Sequence, residues 1–413
     1  MVPALRYRFG MSSGTTSVGR DRVRESLGSV AYSVPTVPRP GRQEGFMMSQ
    51  ATDGMKGGGY YDSHSEYQRR VAASGSQALV ALITKMGPVG ADPFTIVDYG
   101  CSEGANSVAA IGEALRALRQ RSGETTVVAV HNDLPTNDFN ALFRNLLSRA
   151  DSYLRIPGGR VLPMASATSF YEPVVAPGIA QLGVSFSAVH WLREEPQATA
   201  ADSFLIADAT GEARDALARQ AAADWTRFLA MRASDLGTGG VLFLQMIGSL
   251  PADGKEQKVT ARKLIHAIYD TAKGMVDEGR LRREALDRYV FPTYMRTADE
   301  ARAPLDRRGS AVFGAFRIDV AQVDPVPNPY FETYLKTGDA QAYAEQYVAF
   351  VRAFSESTIR KGLLGPGVIA GSLDAAVDDF YAELQRRTAL DPEWSKFEDW
   401  TLTVALTRLD TPR

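Results

Sequence analysis

A single cysteine, Cys101, among 413 residues excludes an internal disulfide and any zinc cluster built from cysteines, so nothing in the chain calls for an oxidising compartment. Histidine is scarce as well. His64, His131, His190 and His266 are the full set, none of them grouped at metal-ligand spacing, and no protein metal site is expected. The formal net charge of -2 leaves no basic footprint for nucleic acid. No apolar run approaches the roughly 18 to 20 residues of a membrane span, and no secretory apolar region stands near the start, so a cytoplasmic chain is expected. What remains, 45% hydrophobic and 23% charged, is ordinary for a soluble globular protein with room for one large or two ordinary domains. Its partner is expected to be a small molecule.

Most of the information lies between Phe94 and Asn140. The run Phe94 to Asp98 is apolar, β-prone and short, and it stops at a carboxylate followed by Gly100 and Gly104. That suits a buried parallel strand feeding the N-terminus of a helix. The helix is supported by Val108, Ile111, Leu115 and Leu118, three or four apart, with Asn106 or Ser107 able to cap its first turn. A second strand, Val127 to Val130, leads to Asp133 and brings a carboxylate beside the first turn. Dinucleotide-type folds hold ribose hydroxyls with that arrangement, so a nucleoside is expected here. Gly100 and Gly104 do not complete the G-x-G-x-x-G of a pyrophosphate cradle. A nucleoside without phosphate fits better, and S-adenosylmethionine is the common one.

Gly100 to Gly104 also reads literally as G-x-S-x-G, the nucleophile elbow of α/β hydrolases. That fold needs several strands before the elbow and a histidine late in the chain. No convincing strand precedes Phe94, and the last histidine is His266. Ser102 is therefore read as a turn residue.

Residues 1–46 carry arginines at 6, 8, 20, 22, 24, 39 and 42 among repeated Ser, Gly and Pro, with no sustained period, and are expected to be a flexible tail or sequence ahead of a natural start at Met47 or Met48. Met55 to Gln68, with Gly57, Gly58 and Gly59 in a row, looks like a loop that closes on a ligand. A helix is expected from Gln68 to Met86, ended by Gly87-Pro88.

Five segments in order carry a resemblance to a known family: the loop Met55 to Gln68, the turn Asp98 to Ser107, the string Asn132 to Asn140, the piece Ser169-Phe170-Tyr171, and Ser185 to Leu192 ending in His190-Trp191-Leu192. Together they resemble the SABATH carboxyl methyltransferases, which use S-adenosylmethionine to methylate small acids such as salicylate, benzoate, jasmonate and indole acetate. Some relatives methylate xanthine nitrogens instead. The resemblance continues more weakly through Gly239 to Gln245 (a glycine turn and central strand), a helix over 258–279, a cap segment at Tyr289 to Tyr294, and a late strand at Gly314 to Ile318. A helix over Tyr343 to Ile359 and a final strand, Thr401 to Leu406, complete it. It implies an α/β, Rossmann-like class I methyltransferase core with a helical cap over the active site. The expected division is the core in 47–250, the cap in 251–310 and the rest of both in 311–413.

By that resemblance Tyr61 and Ser65 hold the methionine end of the cofactor, while Asp98, Gly100, Cys101 and Asn106 line the first turn. Asp133 takes the ribose hydroxyls, and Leu134 and Phe170 flank the adenine with Ser169 beside it. Gln68 and Trp191 grip the substrate carboxylate, with His190 nearby. Two departures bear on the substrate. Ser187 stands where the family often has tyrosine, three residues before the histidine, and the region of Leu264 and Ile265 is aliphatic where plant salicylate enzymes place a second tryptophan. Aliphatic replacement favours a longer or less planar acid: a medium-chain fatty acid, or a broad range of acids with aromatic ones included. The alternatives are N-methylation of a xanthine-like heterocycle and a pocket that binds cofactor without turnover. Plant members are commonly dimers, which makes a homodimer an expectation of the resemblance and of nothing in the residues.

Overall fold

The helix expected over 68–86 is two helices, α1 (Glu66–Ser74) and α2 (Ser76–Lys85), that part at Gly75. The cause is tertiary. A Cβ at Gly75 would meet the amide of Gln245 at 2.5 Å, and Gln245 Nε2 donates to Ser74 Oγ at 3.2 Å. The sequence period runs through the break because the contact that makes it lies far along the chain.

The first strand, β1 (Phe94–Tyr99), is buried along its whole length. A strand covered on both faces has no polar side, which is why it reads as a continuous apolar run. The chain continues through α3 (Ala105–Arg121), β2 (Val127–Asp133), α4 (Phe139–Ser148), β3 (Val161–Ala167), β4 (Ala180–Phe186), α5 (Gly211–Asp235) and β5 (Leu236–Ile247). Next come α6 (Arg262–Asp277), α7 (Arg283–Arg288), α8 (Ala298–Asp306), β6 (Phe316–Val326), α9 (Pro329–Thr337), α10 (Ala340–Thr358), a π-helical stretch at Ile359–Leu364, α11 (Leu373–Leu390) and β7 (Asp399–Arg408). This computed structural model describes residues 54–60, 64, 66–87, 93–251 and 257–410, apart from the side chains of Ala105 and Ser107. All of these fall within the unit Met48–Arg413, and the unit Met1–Met47 lies outside the described residues.

The strands form one sheet in the order β3-β2-β1-β4-β5-β7-β6. Pairings from β3 through β5 are parallel, and β7 runs antiparallel between β5 and β6. The chain winds outward from β1 to β3 and returns to place β4 on the other side of β1. That reversal opens a crevice at the carboxyl ends of β1 and β4, where ligands of such sheets bind. Because β7 is antiparallel, its first residue, Asp399, comes to the same edge as the last residue of β5, Ile247.

Helix α3 buries Val108, Ile111, Leu115 and Leu118 against Ile96, Val127 and Ala129, as its spacing predicts. Its start differs from expectation. Neither Asn106 nor Ser107 is the cap; the N-cap is Gly104, left-handed at φ 94°. A Cβ at Gly104 would meet Leu142 Cδ1 at 2.4 Å, so the tight approach of α4 selects glycine over a side-chain cap. On the other side of the sheet edge, α6, α7, α9, α10 and α11 share a second apolar cluster that includes Leu264, Ile268, Leu286, Phe331, Phe350 and Phe380. Helix α8 sits elsewhere, its Ala301 and Leu305 packing with Trp225 and Phe228 under the sheet.

Candidate active site

At the switch point the strand ends form a cleft of about 820 Å³ including its open mouth. Asp98, Gly100, Cys101, Asn106, Asp133, Leu134, Ser169 and Phe170 all line it, together with Gly54, Met55, Ser102, Ser187, Trp191 and Arg193. Eight of the ten residues expected to hold the cofactor are thus gathered in one place. The other two, Tyr61 and Ser65, lie outside the described residues.

The turn after β1 is fixed from several sides. Asp133 Oδ2 accepts the backbone N–H of Ser102 at 2.7 Å, and Oδ1 accepts that of Leu134 at 2.8 Å. Asn137 Nδ2 donates to Ser102 O at 2.9 Å. Gly100 is left-handed at φ 85°, and a Cβ there would strike Ala188 Cβ at 2.4 Å. Beneath Asp98 lies His131, wholly buried, its Nδ1 3.9 Å from Asp98 Oδ2 and its Nε2 2.7 Å from the Tyr153 hydroxyl. The described start of the loop is tied twice: Gly59 N donates to Glu103 Oε1 at 2.6 Å, and Lys56 Nζ pairs with Glu356 of α10 at 2.7 Å.

Phe170 is held by a residue that no motif pointed to. Arg232, at the end of α5, donates to the carbonyls of Phe170 and of Glu172, the latter at 2.8 Å. Its guanidinium also pairs with Asp235 at 2.8 Å, both groups fully buried, and lies 4.1 Å from the centre of the Tyr99 ring. Arg227 donates to Tyr171 O at 2.9 Å, and the Tyr171 hydroxyl to Trp191 O at 2.7 Å. Two arginines of α5, Arg227 and Arg232, therefore set the position of the 170–172 segment.

A second cavity of about 630 Å³ lies alongside. Gln68, His190 and Trp191, the three residues expected at the substrate carboxylate, all line it. Met55, Ser187 and Trp191 line both spaces, so the two meet at that wall. Leu264 and Ile265 form part of the second lining as expected, but Phe291, Phe350, Phe354 and Phe397 line it too. The aliphatic pair therefore shares the cavity with rings from distant segments, which local comparison does not reveal. Among the described residues, no lysine or arginine lines this cavity. Its lining includes His190, Asp399 and the Tyr67 phenol. Burial, with the charge of Arg296 adding to it, presses the His190 imidazole down to about 3, and burial pushes the Asp399 carboxyl up to about 7. Gln68 Oε1, His190 Nδ1 and Asp399 Oδ2 are each buried with no hydrogen-bond partner.

The donor set of the first cleft suits a nucleoside. An ionised carboxylate has about four lone-pair sites. Backbone N–H groups occupy two on Asp133, which leaves one per oxygen for a pair of hydroxyls. Leu134 and Phe170 offer apolar faces to a base, and the buried, unpartnered Asn106 Oδ1 and Ser102 Oγ can meet polar groups. The elbow reading fails here as well: Ser102 is left-handed at φ 49°, but its hydroxyl meets no base.

The sequence model of the SAM dependent carboxyl methyltransferases matches residues 47–408. The chain belongs to this family. It is the SABATH family that the motifs resemble, and S-adenosylmethionine is its methyl donor. The chain is 29% identical over 243 residues to gibberellic acid methyltransferase 2 of Arabidopsis thaliana, a stretch that covers 54% of this chain and 62% of that protein. The match thus spans less than two thirds of that relative's length. Similarity to a 3,7-dimethylxanthine N-methyltransferase of Camellia sinensis runs further, at 24% identity over 363 residues, 82% of this chain and 94% of that one. The solved structure of loganic acid methyltransferase with SAH superposes with a TM-score of 0.68 at 21% identity, covering 86% of this chain and 99% of the other. At that identity the likeness is one of fold, and it shows the SABATH chain to be a Rossmann-like class I methyltransferase fold.

Proposed function

We propose that this SABATH chain transfers a methyl group from S-adenosylmethionine to the carboxylate of a small organic acid, giving a methyl ester and S-adenosylhomocysteine. The observation that carries the reading is the shared wall of Met55, Ser187 and Trp191, which puts a nucleoside cleft and a cation-free acceptor cavity side by side.

In this reading Asp133 takes the ribose hydroxyls, Leu134 and Phe170 flank the adenine with Ser169 beside it, and Asp98, Gly100, Cys101 and Asn106 line the amino-acid end. Tyr61 and Ser65 are assigned to the same end by the family motif. When bound, the sulfonium supplies an electrophilic methyl carbon. The Gln68 amide and the Trp191 indole N–H orient the acceptor carboxylate, and as neutral donors they leave its charge available for attack. An arginine clamp would bind the anion more tightly and blunt it. A carboxylate with a pKa near 4 is already ionised at neutral pH, so no general base is needed. His190, held neutral by burial, serves as a polar wall and not as a proton carrier.

The acceptor is a ring-bearing acid in preference to a linear fatty acid, because the four phenylalanines offer flat faces to a ring. N-methylation of a heterocycle is the second reading. Asp399 favours it, since a buried carboxyl that titrates near neutrality can take a proton or a hydrogen bond from a ring N–H, and the likeness to the tea xanthine enzyme runs over most of both chains. The test is incubation of purified protein with methyl-labelled S-adenosylmethionine and a panel of free acids, xanthines and phenols, followed by mass spectrometry of the labelled products. Methyl esters are expected; labelled N-methyl products alone would transfer the assignment to the second reading, and cofactor binding with no product would overturn both.

A further inference from the structure

Asp399 is the one carboxyl group lining the acceptor cavity among the described residues, and nothing in the family motifs assigns it a task. It opens β7 at the sheet edge where the other binding residues converge, and it is 3% exposed. Oδ1 faces Thr260 Oγ1 at 3.1 Å, while Oδ2 has no partner. The walls around it are those of a box for an apolar body: Leu264, Ile265, Phe350 and Phe397. A lone acceptor in such a box costs free energy unless something fills its valence.

The proton count around Thr260 fixes which oxygen is open. Its hydroxyl accepts the Trp400 backbone N–H at 2.9 Å and has a single proton, yet the carbonyls of Gly248 and Trp400 each lie 2.8 Å away. That proton is shared among the two carbonyls and Asp399 Oδ1. The contact is met by a share of it, or by Asp399 itself donating from Oδ1 as the neutral acid, the form that burial favours. Either way Oδ2 is left as a buried acceptor without a partner, on a residue that lines the acceptor cavity. In the ionised form it would accept as well.

We infer that Asp399 is a specificity-determining residue that accepts a hydrogen bond from a second polar group on the acceptor, so that the preferred substrates are ring-bearing acids carrying a hydroxyl or amino donor on the ring. This rests on the carboxyl-transfer reading above. Plain acids lacking that donor leave Oδ2 buried and unmet, the kind of loss that discriminates strongly between otherwise similar substrates.

The test compares kcat/KM for benzoate and phenylacetate with that for their singly hydroxylated and singly aminated ring derivatives. The wild-type chain should favour at least one derivative about tenfold or more over its parent. Asp399→Leu should bring that ratio to about one while turnover of the parent acids stays within a few-fold. Asp399→Asn, whose amide can donate to Thr260 and whose oxygen can take the place of Oδ2, should keep the preference, and it decides the matter if the leucine variant does not fold. Absence of any preference in the wild type, its survival in Asp399→Leu, or its loss in Asp399→Asn overturns the inference. So does an equal loss across all acids in Asp399→Leu, which would place Asp399 at the common carboxylate. If no acid of either kind yields a methyl ester, the carboxyl reading fails and this inference with it, whereas esters formed without preference sink this inference alone.

Discussion

Asp133 Oδ2 receives the backbone N–H of Ser102 at 2.7 Å, so the carboxylate assigned to the ribose also holds the turn that frames the amino-acid end of the cleft. One side chain thereby registers two halves of the donor site. Asp133→Ala should weaken S-adenosylmethionine binding by about 1 to 3 kcal/mol, the usual cost of losing hydrogen bonds to a charged group. Asp133→Asn should fare no better, because its NH₂ must face one of two backbone N–H donors, from Ser102 or Leu134. Titration calorimetry with the cofactor checks both, and an unchanged affinity in either would refute the ribose assignment.

Trp191→Phe keeps a ring in contact with Phe291, 5.5 Å away between centroids, and removes the indole donor. Turnover of acids should drop about tenfold or more in kcat/KM, with cofactor affinity nearly intact. Steady-state kinetics with any accepted acid reads this directly. A variant as active as the parent would remove Trp191 from the carboxylate grip.

Arg232→Met should destabilise the fold by about 3 to 5 kcal/mol, because it strands Asp235 as a buried charge and releases the carbonyls of Phe170 and Glu172. Burial already raises the Asp235 pKa in spite of the pairing. Arg232→Met combined with Asp235→Leu should recover much of the stability but not the cofactor affinity, since the adenine wall stays loose. Urea unfolding with and without cofactor separates the two effects.

Two buried groups impose opposite pH slopes on stability. His190 stays neutral in the folded chain down to about pH 3, whereas unfolded histidine charges below about 6.5, so its contribution is lost as the solution is acidified through that window. Asp399 stays protonated in the folded chain up to about pH 7, whereas unfolded aspartate ionises near 4, so its contribution is lost as pH rises between those values. Relative to the parent, His190→Gln should gain stability at pH 4.5, and Asp399→Asn should gain at pH 7.5. Each gain is expected at about 1 kcal/mol per pH unit. Urea midpoints at the two pH values check the crossing.

That the first-cleft residues gather in one place was legible because they fall in short motifs at strand ends. Each parallel strand ends at the binding edge, so Asp98 and Asp133 follow directly upon apolar runs whose pattern can be read locally. The acceptor wall offers no such cue. Phe350 and Phe397 look like ordinary core residues of their helix and loop, and only the packing of α10 and β7 turns them toward Gln68. Asp399 sits just ahead of the apolar stretch from Thr401 to Leu406 that signals the strand, so it reads as a boundary residue. Gly75 and Gly104 mark the remaining misses: partners Gln245 and Leu142 decide their conformations, and neither lies in the same local segment.

The placement of β7 also orders the events of synthesis. Among the described residues β6 pairs only with β7, which follows the other six strands in the chain, so β5 and β6 must each wait for a segment that leaves the ribosome after them. Until then β5, 12 residues long, presents an open edge to any passing strand. A chain stalled or shortened before β7 would carry most of the first cleft beside that unpaired edge, so aggregation as well as inactivity is expected of it.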